Sequence, residues 1–180
     1  ALHSLAESDY SNHQEIVLDN GSVDGSVQAV QANYPNVEVI QLTENLGYGG
    51  NNNLGIQAAL GRDADWVFIL NEDTIVARDC LSCLMHAINQ DSQIGLVGPL
   101  VYHFNEPEII QSAGGKLDRF WRSSHIGQDE QDRAQYPGSR QVDWISGCAM
   151  LVKGRVIEQV GMLDERFFYY WDENDWCLRM

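Results

Sequence analysis

The stretch DWVFILNEDT, at residues 65–74, constrains the fold of this chain more than any other part of its sequence. Five consecutive apolar residues, Trp66 to Leu70, end abruptly in polar ones, which is typical of a strand covered on both faces of a parallel α/β sheet. Sheets of that kind bind their ligands at the carboxyl ends of the strands. Glu72 and Asp73 would lie there, and they would need a cation or hydrogen bonds to offset their desolvation. Taken alone, the pair fits a divalent-metal site and a loop that caps the next helix equally well.

Length, composition and charge narrow the possible functions. With 180 residues, 44% of them hydrophobic, the chain can bury one substantial core, so we expect a single domain spanning residues 1–180. The net charge of −15 argues against binding nucleic acid or anionic lipid through a general basic field. A phosphate-bearing ligand would instead need a metal, backbone amides or a few placed arginines. No apolar run approaches the length of a membrane span.

The four cysteines do not indicate a metal site or a disulfide framework. Cys80 and Cys83 form a C-x-x-C pair, but Leu81 and Leu84 place this pair in an apparent helix. No second close pair completes a zinc site. Packed, reduced thiols are the favoured interpretation, and they indicate a cytoplasmic protein.

Strands and helices alternate along most of the chain. The predicted strands are Glu15–Leu18, Val37–Leu42, Trp66–Leu70, Ile94–Leu100 and Val142–Lys153. The predicted helices are Gly25–Asn33, Leu54–Leu60, Asp79–Asn89 and Gly154–Val160. This alternation favours a mostly parallel sheet flanked by helices. Residues 102–140 break the pattern and predict a long polar excursion with short strands.

Three polar loops could carry chemistry. Residues 19–26 (DNGSVDGS) could bind a ribose or a base through a carboxylate, or could simply cap a turn. Residues 45–53 (NLGYGGNNN) could present amides to an anion, although their glycine spacing matches neither common phosphate-loop pattern. Residues 171–176 (WDENDW) hold acids that could include a general base or could offset a helix dipole. Singly, each loop fits the purely structural interpretation better.

The residue sequences of these loops, and their order along the chain, resemble those of the inverting nucleotide-sugar glycosyltransferases of glycosyltransferase family 2. Within that family, the bacterial rhamnosyltransferase-like group is the most similar. The matching segments are EIVLDNGSVDGS (15–26), ENLGYGGNNNLGI (44–56), FILNEDTIV (68–76), IIQSAGGKLDR (109–119), VDWISGCAMLVKGRVIEQVGMLDERFF (142–168) and YYWDENDWCLRM (169–180). The resemblance covers almost the whole chain. It implies the GT-A fold, an α/β class with a mostly parallel, Rossmann-like sheet between helices.

By position, the resemblance assigns a donor-binding set. Its members are Asp19, as the acid that contacts the nucleotide base or ribose, Asn20 beside it, Gly47, Asn52 and Asn53 in the donor loop, and Asn71 and Asp73 after the central strand. Residues 71–73 take the place of the family's D-x-D motif, with Asp73 as the expected ligand of Mg²⁺ or Mn²⁺. Hard divalent ions prefer carboxylate, water and phosphate oxygens, as a bridge to a diphosphate requires. Asn71 replaces the first aspartate, so weak metal affinity is expected without the donor.

The last motif gives the catalytic expectation. Where the family usually reads Glu-Asp-x-Asp, this chain reads Asp-Glu-Asn-Asp at 172–175. Glu173 therefore resembles the catalytic base, with Asp172 as the alternative. The residues that fall on the acceptor side are Trp144, Ser146 and Gly147. The implied reaction is a single displacement, in which the base takes a proton from an acceptor hydroxyl while the metal neutralises charge on the leaving nucleoside diphosphate.

The resemblance also implies partners and a setting. The donor would be a dTDP- or UDP-sugar and the acceptor a saccharide or a lipid-linked saccharide, with no nucleic acid partner. A homo-oligomer is an open alternative to a monomer. The setting would be bacterial surface-polysaccharide synthesis, in the cytoplasm or at the cytoplasmic face of the membrane. Two other functions stay open: a non-catalytic nucleotide-sugar-binding or assembly module on the same fold, and a nucleotidyltransferase, which the missing basic triphosphate loop disfavours.

Two features of the family are missing from residues 1–180: its first apolar strand and its C-terminal region. The chain opens in what reads as the tail of a helix, without the apolar strand that lies centrally in the family's sheet. It stops within another predicted helix. We therefore expect a fragment truncated at both ends, with either a rearranged sheet or another chain covering the gap. An intact first strand within these residues would contradict that expectation.

Overall fold

The computed structural model describes all residues from 1 to 180. The helices are α1 (Leu2–Ala6), α2 (Ser26–Asn33), α3 (Gly47–Leu60), α4 (Cys80–Gln90), α5 (Gly154–Val160) and α6 (Asp172–Arg179). The strands are β1 (Ile16–Asp19), β2 (Glu38–Gln41), β3 (Trp66–Leu70), β4 (Leu96–Val97), β5 (Val101–His103), β6 (Glu106–Ser112), β7 (Gly115–Leu117), β8 (Ser123–His125) and β9 (Ala149–Lys153). No helix combines the length and apolarity needed to cross a membrane.

The predicted core strands form two separate sheets. β1 and β2 pair in parallel, whereas β9 lies between β3 and β4 and runs antiparallel to both. The fold is therefore of the expected α/β class, but the expectation of a mostly parallel sheet is corrected to a mixed arrangement. The reason is that β9 starts beside the end of β3, where Cys148 lies next to Asn71. Because the first residue of β9 pairs with the last residue of β3, the two strands run antiparallel.

The main core packs on β3 and β9. Met150 and Val152 of β9 are fully buried together with Ile56 of α3 and Trp176 of α6. The ring N–H of Trp176 donates to the Gly161 carbonyl oxygen (2.8 Å), so this large buried side chain has no unpaired polar atom. Because α6 carries the predicted base, the burial of Trp176 fixes that base relative to the sheet.

A wide cleft separates the two sheets. β1 and β3 do not pair, and both border a cavity of about 1780 Å³ whose walls include residues 16–18 and 66–70. No strand precedes β1, and only the short helix α1 lies before it. The two alternatives, a rearranged sheet and another chain that covers the gap, stay predictions, since β1 and β3 border an open cleft in this structure.

Helix α3 begins at Gly47, well before the predicted start at Leu54. Glycine and asparagine disfavour helices in isolation, but tertiary contacts override that preference here. A Cβ added at Gly49 would lie 3.5 Å from the Asp164 carbonyl oxygen, and Asn53 on the same helix bonds to the same loop. Close packing against residues 163–165 therefore holds the glycine- and asparagine-rich segment as helix.

Two predicted strands are shorter in the structure. β4 covers only part of Ile94–Leu100, and β9 covers only the end of Val142–Lys153. Residues 142–148 are irregular because Trp144 and its neighbour bond to β7 of the excursion: Gly115 donates to the Trp144 carbonyl (2.8 Å). The excursion itself contains two hairpins, β5–β6 and β7–β8, as the pattern of short strands predicted.

Candidate active site

The end of β3 opens into the cleft. The backbone N–H of Asn71 donates to the Cys148 carbonyl oxygen (2.9 Å), and the Thr74 hydroxyl donates to the Asn71 carbonyl oxygen (2.8 Å). The turn fixed by these bonds places Asn71, Glu72 and Asp73 in the cavity wall. The Asp73 side chain is exposed there, so its carboxylate is available to a ligand.

The first two polar loops meet beside the same cavity. Asn20 donates from Nδ2 to the side-chain oxygen of Asn45 (2.8 Å) and accepts the backbone N–H of Leu46 (3.2 Å). The Asn45 oxygen also accepts the N–H of Gly47 (2.8 Å). This network joins the turn after β1 to the start of α3. As a result, Asn20, Gly47 and Asn52 all lie in the cavity wall.

Gly47 occupies a position that only glycine fits. Its φ is +72°, in the left-handed region, and an added Cβ would collide with the Phe168 carbonyl oxygen. The same carbonyl accepts the backbone N–H of Tyr48 (3.1 Å). The segment before α6 therefore lies directly on the N-terminus of α3, which brings the third polar loop to the first two.

Asp19 and Asn53 are buried and do not line the cavity. The Asp19 carboxylate accepts the Ser22 backbone N–H (3.2 and 3.3 Å), as a turn cap does, and its donor contact stays a prediction. The Asn53 amide donates to the Leu163 carbonyl and to Glu165, and its oxygen accepts the Leu163 N–H, each at 3.0 Å. The donor contact predicted for Asn53 also stays a prediction, and its polar atoms anchor a loop to α3 in this structure.

Two of the acceptor-side residues lie where α3 and α6 approach each other. The Tyr48 hydroxyl donates to the Gly147 carbonyl oxygen (2.5 Å), and a Cβ added at Gly147 would lie 3.6 Å from the Cβ of Glu173. The Ser146 hydroxyl donates to the Cys148 sulfur (3.3 Å). Gly147 therefore packs between the donor-side helix and the predicted base.

Trp144 lies beneath the surface of the site. It is only 4% exposed, its ring faces Gly115 so closely that an added Cβ there would collide with it, and His125 packs edge-on at 4.7 Å. The acceptor-side position predicted for Trp144 stays a prediction, and its ring lies beneath the surface there. Its side chain supports the β7–β8 hairpin, and its buried ring N–H has no partner.

Helix α6 presents two acids with different exposure. Asp172 is 2% exposed, and one of its oxygens accepts the Glu173 backbone N–H (3.2 Å) while the other has no partner. Glu173 is partly exposed, and burial, followed by its contact with Asp172, raises the pKa of Glu173 to about 7. A carboxyl that titrates near neutral pH is suited to accept a proton, whereas Asp172 is covered by the chain.

The predicted metal ligand and the predicted base lie near one side chain. Burial, and then the charges of Asp73 and Glu173, raise the pKa of the Cys148 thiol. Cys148 sits at the junction of β3 and β9, so both acids act on the same small region of the site.

The residues present fit a metal ion that is shared with a ligand. No group of three or more His, Cys, Asp or Glu residues is arranged to hold an ion by itself. Asp73 instead offers one exposed carboxylate beside Asn71 in the cavity wall. Mg²⁺ commonly binds through one or two carboxylates together with water and substrate phosphates. Asp73 therefore suits Mg²⁺ or Mn²⁺ bound jointly with a diphosphate.

Sequence reasoning missed Tyr48 and Asn45. Tyr48 was one residue of a glycine-rich loop, yet its hydroxyl connects two sides of the site. The available signal was that a buried tyrosine needs a partner for its hydroxyl. Asn45 forms an Asx turn with Gly47, two residues on, which is a common conformation for asparagine before a helix.

Known proteins match this chain along most of its length. The sequence model described as glycosyl transferase family 2 matches residues 1–152. An alignment of 183 residues, covering 89% of this chain and 58% of the other protein, gives 34% identity to N-acetylglucosaminyl-diphospho-decaprenol L-rhamnosyltransferase of Mycobacterium tuberculosis H37Rv. Identity to the dTDP-rhamnosyl transferase RfbF of Shigella flexneri is 25%, covering 97% of this chain and 56% of that protein. The chain spans little more than half the length of these relatives.

Solved structures show the same fold. The mannosyltransferase PcManGT of Pyrobaculum calidifontis, in complex with GDP-Man and Mn²⁺, aligns with a TM-score of 0.60 at 20% identity, covering 91% of this chain and 42% of that one. GalNAc-T7 with UDP, GalNAc and Mn²⁺ aligns with a TM-score of 0.71 at 12% identity, covering 99% and 37%. These likenesses confirm the expected GT-A fold.

Proposed function

The chain belongs to glycosyltransferase family 2, and on that premise we propose that it transfers a sugar from a nucleoside-diphosphate sugar to an acceptor hydroxyl, with inversion at the anomeric carbon. The proposed donor is a dTDP- or UDP-sugar, and the proposed acceptor is a saccharide carried on a lipid. The names of two relatives support this: one is a rhamnosyltransferase that acts on a diphospho-decaprenol-linked sugar, and the other is a dTDP-rhamnosyl transferase. The proposed role is in bacterial surface-polysaccharide synthesis.

The observation that carries the proposal is the position of Glu173, half-buried in the first turn of α6 beside Gly147, together with its raised pKa. A pKa of about 7 leaves a large fraction of this carboxyl ionised at neutral pH and lets it bind a proton strongly enough to act as a base. Glu173 takes the proton of the acceptor hydroxyl, whose oxygen then forms the bond to the anomeric carbon. The bond from that carbon to the nucleoside diphosphate breaks, and its electron pair leaves with the diphosphate.

Other residues of the chain bind and orient the substrates. Asn20, Gly47 and Asn52 border the donor, and Asn71 and Asp73 lie at its diphosphate. Asp73 would hold Mg²⁺ or Mn²⁺, which when bound neutralises the charge that develops on the leaving diphosphate. With a net charge of −15, the chain cannot attract an anionic donor through its own general field. A bound metal ion would supply the positive charge that the donor's diphosphate needs.

The burial of Asp172 supports Glu173 as the base. Asp172 accepts the backbone N–H of Glu173 and is covered on all sides, so it orients the first turn of α6 instead of touching the acceptor. The proposed location is the cytoplasm, at the cytoplasmic face of the membrane, because the M. tuberculosis relative is named for a decaprenol-linked substrate.

A non-catalytic nucleotide-sugar-binding or assembly module is the second candidate. One observation favours it: Asn71 stands where the family's first aspartate binds metal. Such a module would bind the donor through the same residues without catalysing sugar transfer.

A transfer assay separates the two candidates. dTDP-rhamnose and UDP-sugars are supplied with Mn²⁺ and a polyprenyl-diphosphate-linked N-acetylglucosamine, and both nucleotide release and glycoside product are measured. Glu173→Gln should lower transfer by about 10²- to 10⁴-fold with donor affinity retained, as loss of a general base does. The matched variant Asp172→Asn should lower the rate of transfer by a smaller factor. Donor binding without turnover in the unaltered protein would support the module, and full activity of Glu173→Gln would remove Glu173 as base.

A further inference from the structure

The β7–β8 hairpin ends in a basic and aromatic tip. Residues 115–125 contain three basic side chains, Lys116, Arg119 and Arg122, and one acid, Asp118, for a local charge of +2 in a chain of net charge −15. Phe120 and Trp121 at the tip are 62% and 68% exposed. Two exposed aromatic side chains and two arginines therefore adjoin at this tip. They are typical of a site for an anion that carries an apolar group.

The tip is a fixed structure. One oxygen of Asp118 accepts the backbone N–H groups of Phe120 (2.7 Å) and Arg122 (3.0 Å), and the other accepts Arg122 Nε (2.7 Å). Trp121 has a φ of +62°, which is rare for a bulky residue and is found where the surroundings enforce it. The aromatic pair is therefore held outward by the turn.

The guanidinium groups of the tip remain available for a ligand. Arg119 lies 4.6 Å and Arg122 lies 5.6 Å from the centre of the Phe120 ring, so both are oriented by the same aromatic side chain. The only ion pair of Arg122 uses Nε, and Arg119 and Lys116 have no carboxylate within ion-pair distance. Paired guanidinium N–H donors of this kind match phosphate oxygens.

The tip rests against the helix that carries the predicted base. Ser123 is the first paired residue after the tip and lies opposite Leu117. Its hydroxyl oxygen accepts a hydrogen bond from Asn174 Nδ2 (3.3 Å), and Asn174 follows Glu173 in α6. Phe120 precedes Ser123 by three residues, so its Cα lies no more than about 11 Å from that of Ser123. The tip is therefore a near neighbour of the helix that carries Glu173.

We propose that this tip binds the diphosphate and the first isoprenoid units of a lipid-linked acceptor. The inference rests on the proposed function, because it is the sugar at Glu173 that places the diphosphate at Arg119 and Arg122. Phe120 and Trp121 then contact the isoprenoid chain. A general anionic bilayer is a poorer partner, since the net charge of −15 repels such a surface while a single diphosphate meets only the local positive charge.

Isothermal titration with farnesyl diphosphate tests the tip directly. Divalent metal is removed with EDTA, so that the donor's diphosphate site around Asp73 does not contribute. We expect farnesyl diphosphate to bind at least about tenfold more tightly than inorganic diphosphate or farnesol, because both halves of the ligand are contacted. Arg119→Ala with Arg122→Ala should weaken binding at least about tenfold. Phe120→Ala with Trp121→Ala should reduce the preference over inorganic diphosphate.

A matched control lies elsewhere on the same excursion. Arg133→Ala with Arg140→Ala also removes two exposed arginines, and Arg140 also lies over an aromatic ring, that of Tyr136, at 5.3 Å. Farnesyl diphosphate affinity should stay within about twofold in this variant, less than the tenfold that corresponds to 1.4 kcal/mol. Circular dichroism verifies that each variant is folded. Unchanged affinity in a folded tip variant, or equal binding of farnesyl and inorganic diphosphate, overturns the proposal.

Two further arms separate this inference from the proposed function. Vesicles of anionic phospholipid should bind the protein only when they contain a polyprenyl diphosphate, and equal binding without it would show a general membrane contact and overturn the proposal. Mn²⁺-dependent dTDP or UDP binding should be retained in the tip variants. Failure of the unaltered protein to bind dTDP or UDP would contradict the glycosyltransferase function. Failure to bind farnesyl diphosphate, with nucleotide binding intact, would contradict only the proposed role of the tip.

Discussion

The Tyr48 hydroxyl donates a 2.5 Å hydrogen bond to the carbonyl oxygen of Gly147 and so connects the two sides of the site. Tyr48 belongs to α3 on the proposed donor side, and Gly147 packs against Glu173 on the proposed acceptor side. Burial, and then the charges of Asp172 and Glu173, hold the pKa of Tyr48 well above its usual value. The hydroxyl therefore keeps its proton, and the bond persists over the whole pH range in which the base titrates.

Replacing Tyr48 with phenylalanine should weaken both stability and transfer. The change leaves the half-buried carbonyl of Gly147 without its donor, which lowers the free energy of unfolding by about 1 kcal/mol or more. The position of Gly147 against Glu173 then relaxes, so kcat should fall more than donor affinity does. Urea unfolding and steady-state kinetics measure the two effects. The control is Tyr102→Phe, whose hydroxyl bonds to Asp132 at the surface and whose loss should change stability by less than about 0.5 kcal/mol. Equal effects of the two variants would contradict the connecting role.

Gly47 and Gly138 form a matched pair for testing the contact between α3 and the segment before α6. Both have positive φ, +72° and +66°, but an added Cβ collides with Phe168 at Gly47 and meets nothing within 4 Å at Gly138. Gly138→Ala should therefore lower the free energy of unfolding only by the backbone strain, about 1–2 kcal/mol. Gly47→Ala should cost at least about 1 kcal/mol more, because residues 167–171 must shift. Denaturant midpoints compare the variants, and equal losses would show that the Phe168 contact is unimportant.

Asp73 and Glu72 should differ sharply in metal-dependent nucleotide binding. Both are exposed acids in the cavity wall, but the family position assigns the metal to Asp73. Asp73→Ala should reduce Mn²⁺-dependent UDP or dTDP affinity by about 10- to 100-fold, since a carboxylate bond to the ion is lost. Glu72→Ala should stay near the unaltered value. Titration calorimetry with and without EDTA provides the comparison, and the reverse order of effects would assign the ion to Glu72.

Stability should fall as pH rises through the titration of Glu173. The pKa of this carboxyl is about 7 in the folded protein against an ordinary value of 4.5, so the folded state binds the proton more tightly than the unfolded state. Its contribution to stability is therefore fully present below about pH 4.5 and is lost as pH approaches 7. Allowing for the partial exposure of Glu173, the loss amounts to roughly 2 kcal/mol at most. Glu173→Gln should flatten this part of the stability profile, and an unchanged slope would contradict the raised pKa.

The sequence predicted the elements that depend on local pattern. The apolar run at 66–70 is a strand, the acids after it face a cavity, and the acids at 172–173 begin a helix. These features follow from residues adjacent in the chain. The metal motif at 71–73 and the base at Glu173 could be proposed because each lies in a short segment with a distinctive order of residues, and both assignments stay predictions.

Features that depend on distant contacts could not be predicted in this way. The helical start of α3 at Gly47 requires the loop around Leu163, and the antiparallel course of β9 requires the fold of residues 98–148. Asn53 and Trp144 have the residue types of a ligand site, but tertiary packing buries both. Their burial could be found only once the distant segments that cover them were placed.

The pH dependence of kcat/KM for sugar transfer tests the central claim most directly. With Glu173 as a general base whose pKa is about 7, the rate should rise about tenfold per pH unit below that value and level off above it. Glu173→Gln should lower the rate by about 10²- to 10⁴-fold and remove this limb of the profile. A profile that is flat between about pH 5 and 8 in the unaltered protein, or the same rising limb at full activity in Glu173→Gln, would contradict the assignment of Glu173 as the base.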